Sequence, residues 1–240
     1  MNNNNVKSYY DDFVGYQQVS KVNERIYSLY KRLLSLNLTS HSRVLELGCG
    51  IGTVTFLLSK TIKTGIIESV DLSEKSIDFA KSKIRRKNVS FCADDIVNYK
   101  PKETDFDFII LFDVLEHIPF ENHFALFKNL SEISTERTKI LINIPNPEYI
   151  NFDIKNNPNV LQIIDQPIPL ELLVKNTVEN GLKIHFFETY SIWVKNDYQF
   201  FTIEKEKDFN ELKLSSERNV FQKIIHKVKI LFIKAVYNYN

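Results

Sequence analysis

The residues with the types and spacing for chemistry sit just after apolar runs. At 44–52 the chain reads V-L-E-L-G-C-G-I-G, placing Glu46 ahead of three alternate glycines, Gly48, Gly50 and Gly52, with Cys49 between the first two. Glycines at that spacing make a tight turn with no side chains, so a ligand can touch the backbone. Asp71 closes the next apolar run, I-I-E-S-V. A carboxylate at such a strand end, about 20 residues beyond a glycine turn, can accept hydrogen bonds from both hydroxyls of a ribose. Its plainer alternative is to cap the helix that follows. Asp94 and Asp95 end V-S-F-C-A, and a carboxylate there accepts directly from an amino donor. Asp95 could instead cap the next turn. The stretch D-V-L-E-H-I, 113–118, carries His117, whose imidazole titrates near neutrality. I-P-N-P at 144–147 is a stiff turn. Its Asn146 is placed either to hydrogen-bond a polar acceptor or to satisfy the turn itself.

These residues need a frame that gathers strand ends. Strands are predicted at 43–47, 66–71, 89–93, 107–112 and 139–144, the fourth almost wholly apolar as a central parallel strand should be. Between them lie predicted helices from Ser73 to about Lys87 and from Phe120 to Ile133. Residues 6–40 read as helical, with Val19, Val22, Ile26, Leu29, Leu33 and Leu36 near helical spacing. Residues 148–168 read as irregular, with Pro158, Pro167 and Pro169 among and beside them. A helix over 170–180 stops at Gly181, the left-handed position that ends helices. L-K-I-H-F-F-E at 182–188 and Y-Q-F-F-T-I-E at 198–204 could pair antiparallel. Repeated βα units imply an α/β fold, a doubly wound parallel sheet with helices on both faces.

The chain has 240 residues, enough for one α/β domain with modest additions. A net charge of +1 gives no global attraction to nucleic acid. Two cysteines, Cys49 and Cys92, both in segments read as core, suggest a reducing compartment and no disulfide framework. The polar start M-N-N-N-N-V-K is not a signal peptide, and no apolar run reaches the roughly 18–20 residues of a membrane span. A cytoplasmic location is expected. Only six glycines are present, and three stand in one five-residue loop.

The E-x-G-x-G-x-G turn resembles motif I of the class I, Rossmann-like methyltransferases that use S-adenosylmethionine. In the dinucleotide fingerprint a third glycine would fall where Thr53 stands. The resemblance covers about residues 40–205. It implies a seven-stranded, mostly parallel sheet with one antiparallel strand; residues 1–39, a helical cap, and 206–240, an extension, lie outside it and are read from their own pattern. It also implies that Glu46, Gly48, Cys49, Gly50 and Gly52 hold the cofactor with Asp71, Leu72, Asp94, Asp95, Ile96 and Asp113. Asp71 would take the ribose, and Asp94 the adenine amino group. Small-molecule O-methyltransferases carry a similar L-E-H segment, which makes His117 a candidate general base. Asn146 and Tyr10 become candidate acceptor contacts, the latter in a segment that folds over the cofactor in related enzymes. Glu116 and His117, two adjacent residues, are too few for a metal site, and none is assigned. No (D/N)-P-P-Y tetrapeptide follows the fourth strand, no P-C nucleophile is present, and the chain is not basic, so nucleic acid is not the expected substrate.

The reading is methyl transfer to a hydroxyl of a small molecule, a sugar or glycan precursor first, a quinone-type or lipid-linked phenol next. The rivals are an NAD-dependent dehydrogenase and a non-catalytic cofactor-binding protein. Residues 219–237 add an amphipathic helix flanked by Lys223, Lys227, Lys229 and Lys234. That pattern suits peripheral contact at the inner face of a membrane, packing on the protein's own sheet, or a homodimer.

Overall fold

A computed structural model of the chain describes residues 8–11, 15, 21–208 and 218–237. The chain divides into two units, Met1–Glu206 and Lys207–Asn240. In the first unit, helix α1 (Glu24–Ser35) is followed by β1 (Arg43–Leu47), α2 (Thr53–Thr61), β2 (Ile66–Asp71), α3 (Glu74–Lys83), β3 (Val89–Ala93) and β4 (Phe108–Phe112). Then come α4 (Phe120–Ile133), β5 (Lys139–Pro145), α5 (Pro147–Asn156), α6 (Leu170–Glu179), β6 (Leu182–Tyr190) and β7 (Tyr198–Lys205). The strands form one seven-stranded sheet in the order β3-β2-β1-β4-β5-β7-β6. Only β7 runs against the others, pairing antiparallel with both β5 and β6. The expected α/β sheet with one reversed strand is therefore what the chain forms.

Alternation along the central strands builds two cores, one on each face. Leu45 and Leu47 of β1, Ile109 and Leu111 of β4, and Ile140 and Ile142 of β5 pack on one side with Leu126, Phe127 and Leu130 of α4. Val44, Phe108, Ile110 and Leu141 point to the other side, against Leu29 and Leu33 of α1 and Leu58 of α2. Both faces are covered, so the strands read as continuous apolar runs. After β3 the chain crosses from the β2–β3 side to place β4 on the opposite flank of β1. That reversal opens a crevice at the carboxyl ends of β1 and β4, where doubly wound sheets bind ligands.

Two element assignments differ from the sequence reading. The start of the segment 148–168, read as irregular, belongs to α5: Pro147 occupies the first turn, where its missing N–H costs nothing, and Asn146 caps the end through Glu148 N–H. Helix α3 stops at Lys83 rather than near Lys87, with Ile84 already extended. Of the long N-terminal helix expected over 6–40, the described residues show helical conformation at 8–11 and the separate α1; Val19 lies outside the described residues. The second unit contains α7 (Val220–Val236), closed at its start by a capping box between Asn219 and Gln222. Among the described residues no helix is long and apolar enough to cross a membrane.

Candidate functional site

The carboxyl ends of β1, β2 and β4 open onto one cavity of about 940 Å³, within the range of ligand sites. Its floor is the glycine turn. Gly48 N–H and Cys49 N–H both donate to Val70 O, at 2.8 and 2.9 Å, tying the turn to β2. Gly48 has φ +81°. A Cβ there would stand 2.3 Å from Val114 Cγ2, so both backbone conformation and packing exclude a side chain. Gly52, also at φ +81°, is the left-handed N-cap of α2. Glu46, 4% exposed, lies beneath the turn and accepts from Thr55 Oγ1 and from Ser69 Oγ at 3.1 Å. Burial raises its pKa to about 7 despite those two donors.

Asp71 ends β2 at the cavity wall. Its Oδ2 accepts from Gly50 N–H at 2.7 Å and its Oδ1 from Ser73 N–H at 2.9 Å. Burial pushes its pKa upward, and the two backbone donors oppose that rise. Each oxygen keeps a lone pair for a further donor. Leu72 and Ile96 line the cavity beside it. Asp94 is exposed and Asp95 half-buried, and neither is among its lining residues. Asp94 accepts from Asp95 N–H at 2.8 Å, and Asp95 caps Val97 N–H at 3.0 Å.

Asp113, expected with the cofactor residues, lines the cavity, but both its oxygens are engaged. Oδ1 accepts from Asn143 Nδ2 at 2.8 Å; Oδ2 lies 3.1 Å from Arg25 Nε. Asn143 in turn accepts from Tyr190 OH at 2.7 Å. This network holds Asp113 at φ +57°, a strained conformation for a residue with a side chain. Arg25 also donates to Tyr198 OH at 2.9 Å, and its guanidinium lies 5.6 Å from the rings of both Trp193 and Tyr198. Trp193 is 57% exposed on the β6–β7 turn, which Asp197 fastens by accepting from Ile192, Trp193 and Val194 N–H.

His117 lies in a single 3-10 turn, Leu115–His117, after β4. Its Nδ1 is 2.6 Å from Ile164 O and 3.1 Å from Asp165 Oδ1, so it is the nitrogen that carries a proton. Nε2 stands 3.9 Å from Glu116 Oε1. Burial alone would depress the His117 pKa, but Glu116, Asp165 and the Ile164 carbonyl outweigh it and lift the value to about 9. Glu116 is 2% exposed, and its Oε2 has no hydrogen-bond partner among the described residues. Burial drives its pKa up to about 8, against the pull of His117 and with a further push from Asp113. The Tyr10 ring sits 5.9 Å from the His117 ring. Next to it, Asp11 accepts from Ser73 Oγ at 2.5 Å and Lys75 N–H at 3.3 Å, fastening residues 8–11 to the start of α3.

Asn146 is spent on structure: it caps α5 and donates to Asn196 O at 2.8 Å, and it does not line the cavity. Arg25, Asn143, Asp165, Trp193 and Tyr198 were not singled out by the sequence reading. They come from elements far apart in the chain, and no local motif marks them.

Residues 44–136 match a family model described as a methyltransferase domain. A malonyl-[acyl-carrier protein] O-methyltransferase of Bacillus anthracis is 38% identical over 101 residues, 42% of this chain and 36% of that protein. An uncharacterised RNA methyltransferase of Mycoplasma mobile is 32% identical over 101 residues, 41% of this chain and 28% of that one. The chain thus spans 28–37% of the length of the curated relatives it matches. Magnesium protoporphyrin IX methyltransferase of Synechocystis, solved with S-adenosylhomocysteine, superimposes with a TM-score of 0.67 at 18% identity, covering 85% of this chain and 99% of that structure. The fold is that of the class I S-adenosylmethionine-dependent methyltransferases.

Proposed function

We propose that this chain, which carries a methyltransferase domain over residues 44–136, transfers a methyl group from S-adenosylmethionine to a hydroxyl of a small molecule. The observation that carries the reading is Asp71: a buried carboxylate, fixed by Gly50 and Ser73 N–H, with a lone pair left on each oxygen at the wall of the cavity. Those lone pairs fit a ribose diol, and the side-chain-free turn beside it fits a ligand that must touch backbone. Leu72 and Ile96 supply apolar walls for a base. When bound, the cofactor supplies a methyl group already activated as a sulfonium substituent, so alignment provides much of the catalysis.

The remaining groups fall on the acceptor side. Tyr10, Trp193 and Tyr198 offer aromatic surface, and Arg25, paired with Asp113, fixes Trp193 and Tyr198. His117 keeps its Nδ1 proton on Ile164 and Asp165 at neutral pH. With Nδ1 committed to Ile164 O and Asp165, His117 is read here as a cation that orders the acceptor side, in place of the general base. An oxygen acceptor is supported by the relative named as an O-methyltransferase. Within that class a sugar or glycan precursor is preferred, suited by flat aromatic walls, with a quinone-type or lipid-linked phenol next. The six acids that line the cavity, Glu46, Asp71, Asp113, Glu116, Asp153 and Asp165, argue against a polyanionic nucleic acid.

Calorimetric titration with S-adenosylhomocysteine and with NAD tests the cofactor. Binding of NAD alone would make the chain a dehydrogenase. Transfer of labelled methyl from S-adenosylmethionine to sugar, phenol and RNA panels then tests the acceptor; cofactor binding with no transfer to any of them would favour the non-catalytic reading.

For α7, taken alone, the support is charge complementarity: an apolar arc containing Ile224, Val228 and Leu231, with Lys223, Lys227, Lys229 and Lys234 along its borders. We propose that it contacts an anionic membrane surface, where a lipid-linked acceptor would be met.

A further inference from the structure

Among the described residues, Glu116 is a carboxyl of the cavity with a buried oxygen that no donor meets. Glu46 is answered by Thr55 and Ser69, Asp71 by Gly50 and Ser73, and Asp113 by Asn143 and Arg25. Asp165 is held by Gln162 N–H at 2.6 Å and His117. Glu116 Oε2 is buried with no donor among the described residues. Such a group costs free energy unless something completes it. The turn that carries it is rigid: Gln166 N–H donates to Glu116 O at 3.0 Å, and Gln166 Nε2 to Ile118 O at 2.8 Å. The charge of Glu116 is felt by Tyr10 from the N-terminal segment, Arg25 from α1, His117 beside it and Tyr198 from β7. Asp113 and Asp165 face it as like charges. It therefore stands where four elements converge on the acceptor side of the cavity.

We propose that Glu116 is the catalytic residue that binds the acceptor's hydroxyl and takes its proton. The inference rests on the methyl-transfer reading above. The acceptor O–H donates to Glu116 Oε2. As the oxygen's lone pair forms the new bond to the methyl carbon, the carbon–sulfur bond breaks and its electron pair stays on sulfur. The hydroxyl proton passes to Glu116. One carboxylate charge and one sulfonium charge disappear together, so the step balances. His117, already protonated, stabilises the carboxylate before transfer. A carboxyl lifted toward neutrality is also better matched to a hydroxyl proton than an ordinary one.

The proposal makes Glu116 ionise when a positive charge enters the cavity. Binding of S-adenosylmethionine, a cation at sulfur, should release a proton that binding of the neutral S-adenosylhomocysteine does not. Calorimetry at pH 7 in two buffers of different ionisation enthalpy measures that difference. In Glu116→Gln it should vanish, and the affinity ratio of the two nucleosides should fall about tenfold, with S-adenosylhomocysteine affinity unchanged. Infrared difference spectra of the wild-type protein give a second readout: the band of a protonated buried carboxyl should be lost on adding S-adenosylmethionine and kept with S-adenosylhomocysteine. Proton release that persists in Glu116→Gln would overturn the inference while leaving the cofactor reading intact. If Glu116→Gln does not fold, a carboxyl band that ignores the sulfonium overturns it instead. Wild-type protein that binds neither nucleoside overturns the cofactor reading and the inference with it.

Discussion

Asp71→Asn separates what the β2 carboxylate does for a ligand from what it does for the fold. In the native site both oxygens accept backbone N–H bonds, from Gly50 at 2.7 Å and Ser73 at 2.9 Å. An amide keeps one acceptor; its NH₂ must face the other N–H, so one of the two bonds is lost, at about 1 kcal/mol. Against that, burial raises the pKa of Asp71, so its ionised form opposes folding at neutral pH, and the neutral amide removes that cost. The two effects offset one another. With ~2–4 °C of melting temperature per kcal/mol for a chain of this size, the variant should melt within a few degrees of the parent. Ligand binding has no such compensation. A ribose hydroxyl on a carboxylate is a charge-assisted bond of roughly 1.5–3 kcal/mol, so S-adenosylhomocysteine affinity should fall about 10–100-fold. Calorimetry reads the affinity and thermal unfolding reads the stability. A folded Asp71→Asn protein that binds S-adenosylhomocysteine within about threefold of the parent would refute the ribose assignment.

Gly48→Ala combines a left-handed φ of +81° with a Cβ 2.3 Å from Val114 Cγ2. Strain of ~1–2 kcal/mol and overpacking of ~1–3 kcal/mol should lower the melting temperature by about 5–15 °C, and a drop under about 2 °C would contradict the packing described. Glu46 titrates near its usual 4.5 when unfolded and at about 7 when folded. The native state therefore holds the extra proton, and the contribution of Glu46 to stability should be greatest below about pH 4.5 and decline as pH rises to about 7. Urea unfolding of Glu46→Gln across that range should show a shallower decline than the parent, and identical slopes would remove Glu46 as the cause. For α7, the full chain should sediment with anionic vesicles at low salt and be released by salt, each lysine contributing about 1 kcal/mol. A chain ending at Arg218 should stay in the supernatant, and full-length protein that also stays there would end the membrane proposal.

The sheet and the nucleoside half of the cavity are legible in the sequence because they are built locally. The residues that make the glycine turn also make the strand and helix on either side, so Glu46, Gly48, Gly50 and Gly52 announce their own setting. Asp71 needs only one further strand end. The acceptor half is legible only in part. D-V-L-E-H-I marks the place after β4, but which member has an open oxygen depends on Asp165 and Ile164, nearly fifty residues on. Arg25 looks like any exposed cation on an amphipathic helix until β7 brings Tyr198 to it. Pro147 shows the opposite error, a residue read as part of a stiff turn that begins a helix because Asn146 precedes it.

The attachment of α1 also sets an order of assembly. Arg25 reaches Tyr198 across 173 residues of chain, and Arg32 pairs with Glu188 across 156. Arg32 further lies 4.2 Å from the Tyr190 ring and 4.6 Å from the Phe200 ring. Helix α1 thus takes these polar anchors from β6 and β7. On a ribosome, β1 to β4 and the nucleoside wall emerge with their partners close behind them, but α1 must wait until nearly 200 residues have been made. Truncation anywhere before Tyr198 removes the hydroxyl partner of Arg25 and leaves its charge with Asp113 alone. The Arg25–Tyr198 wall of the cavity therefore waits for β7 during synthesis.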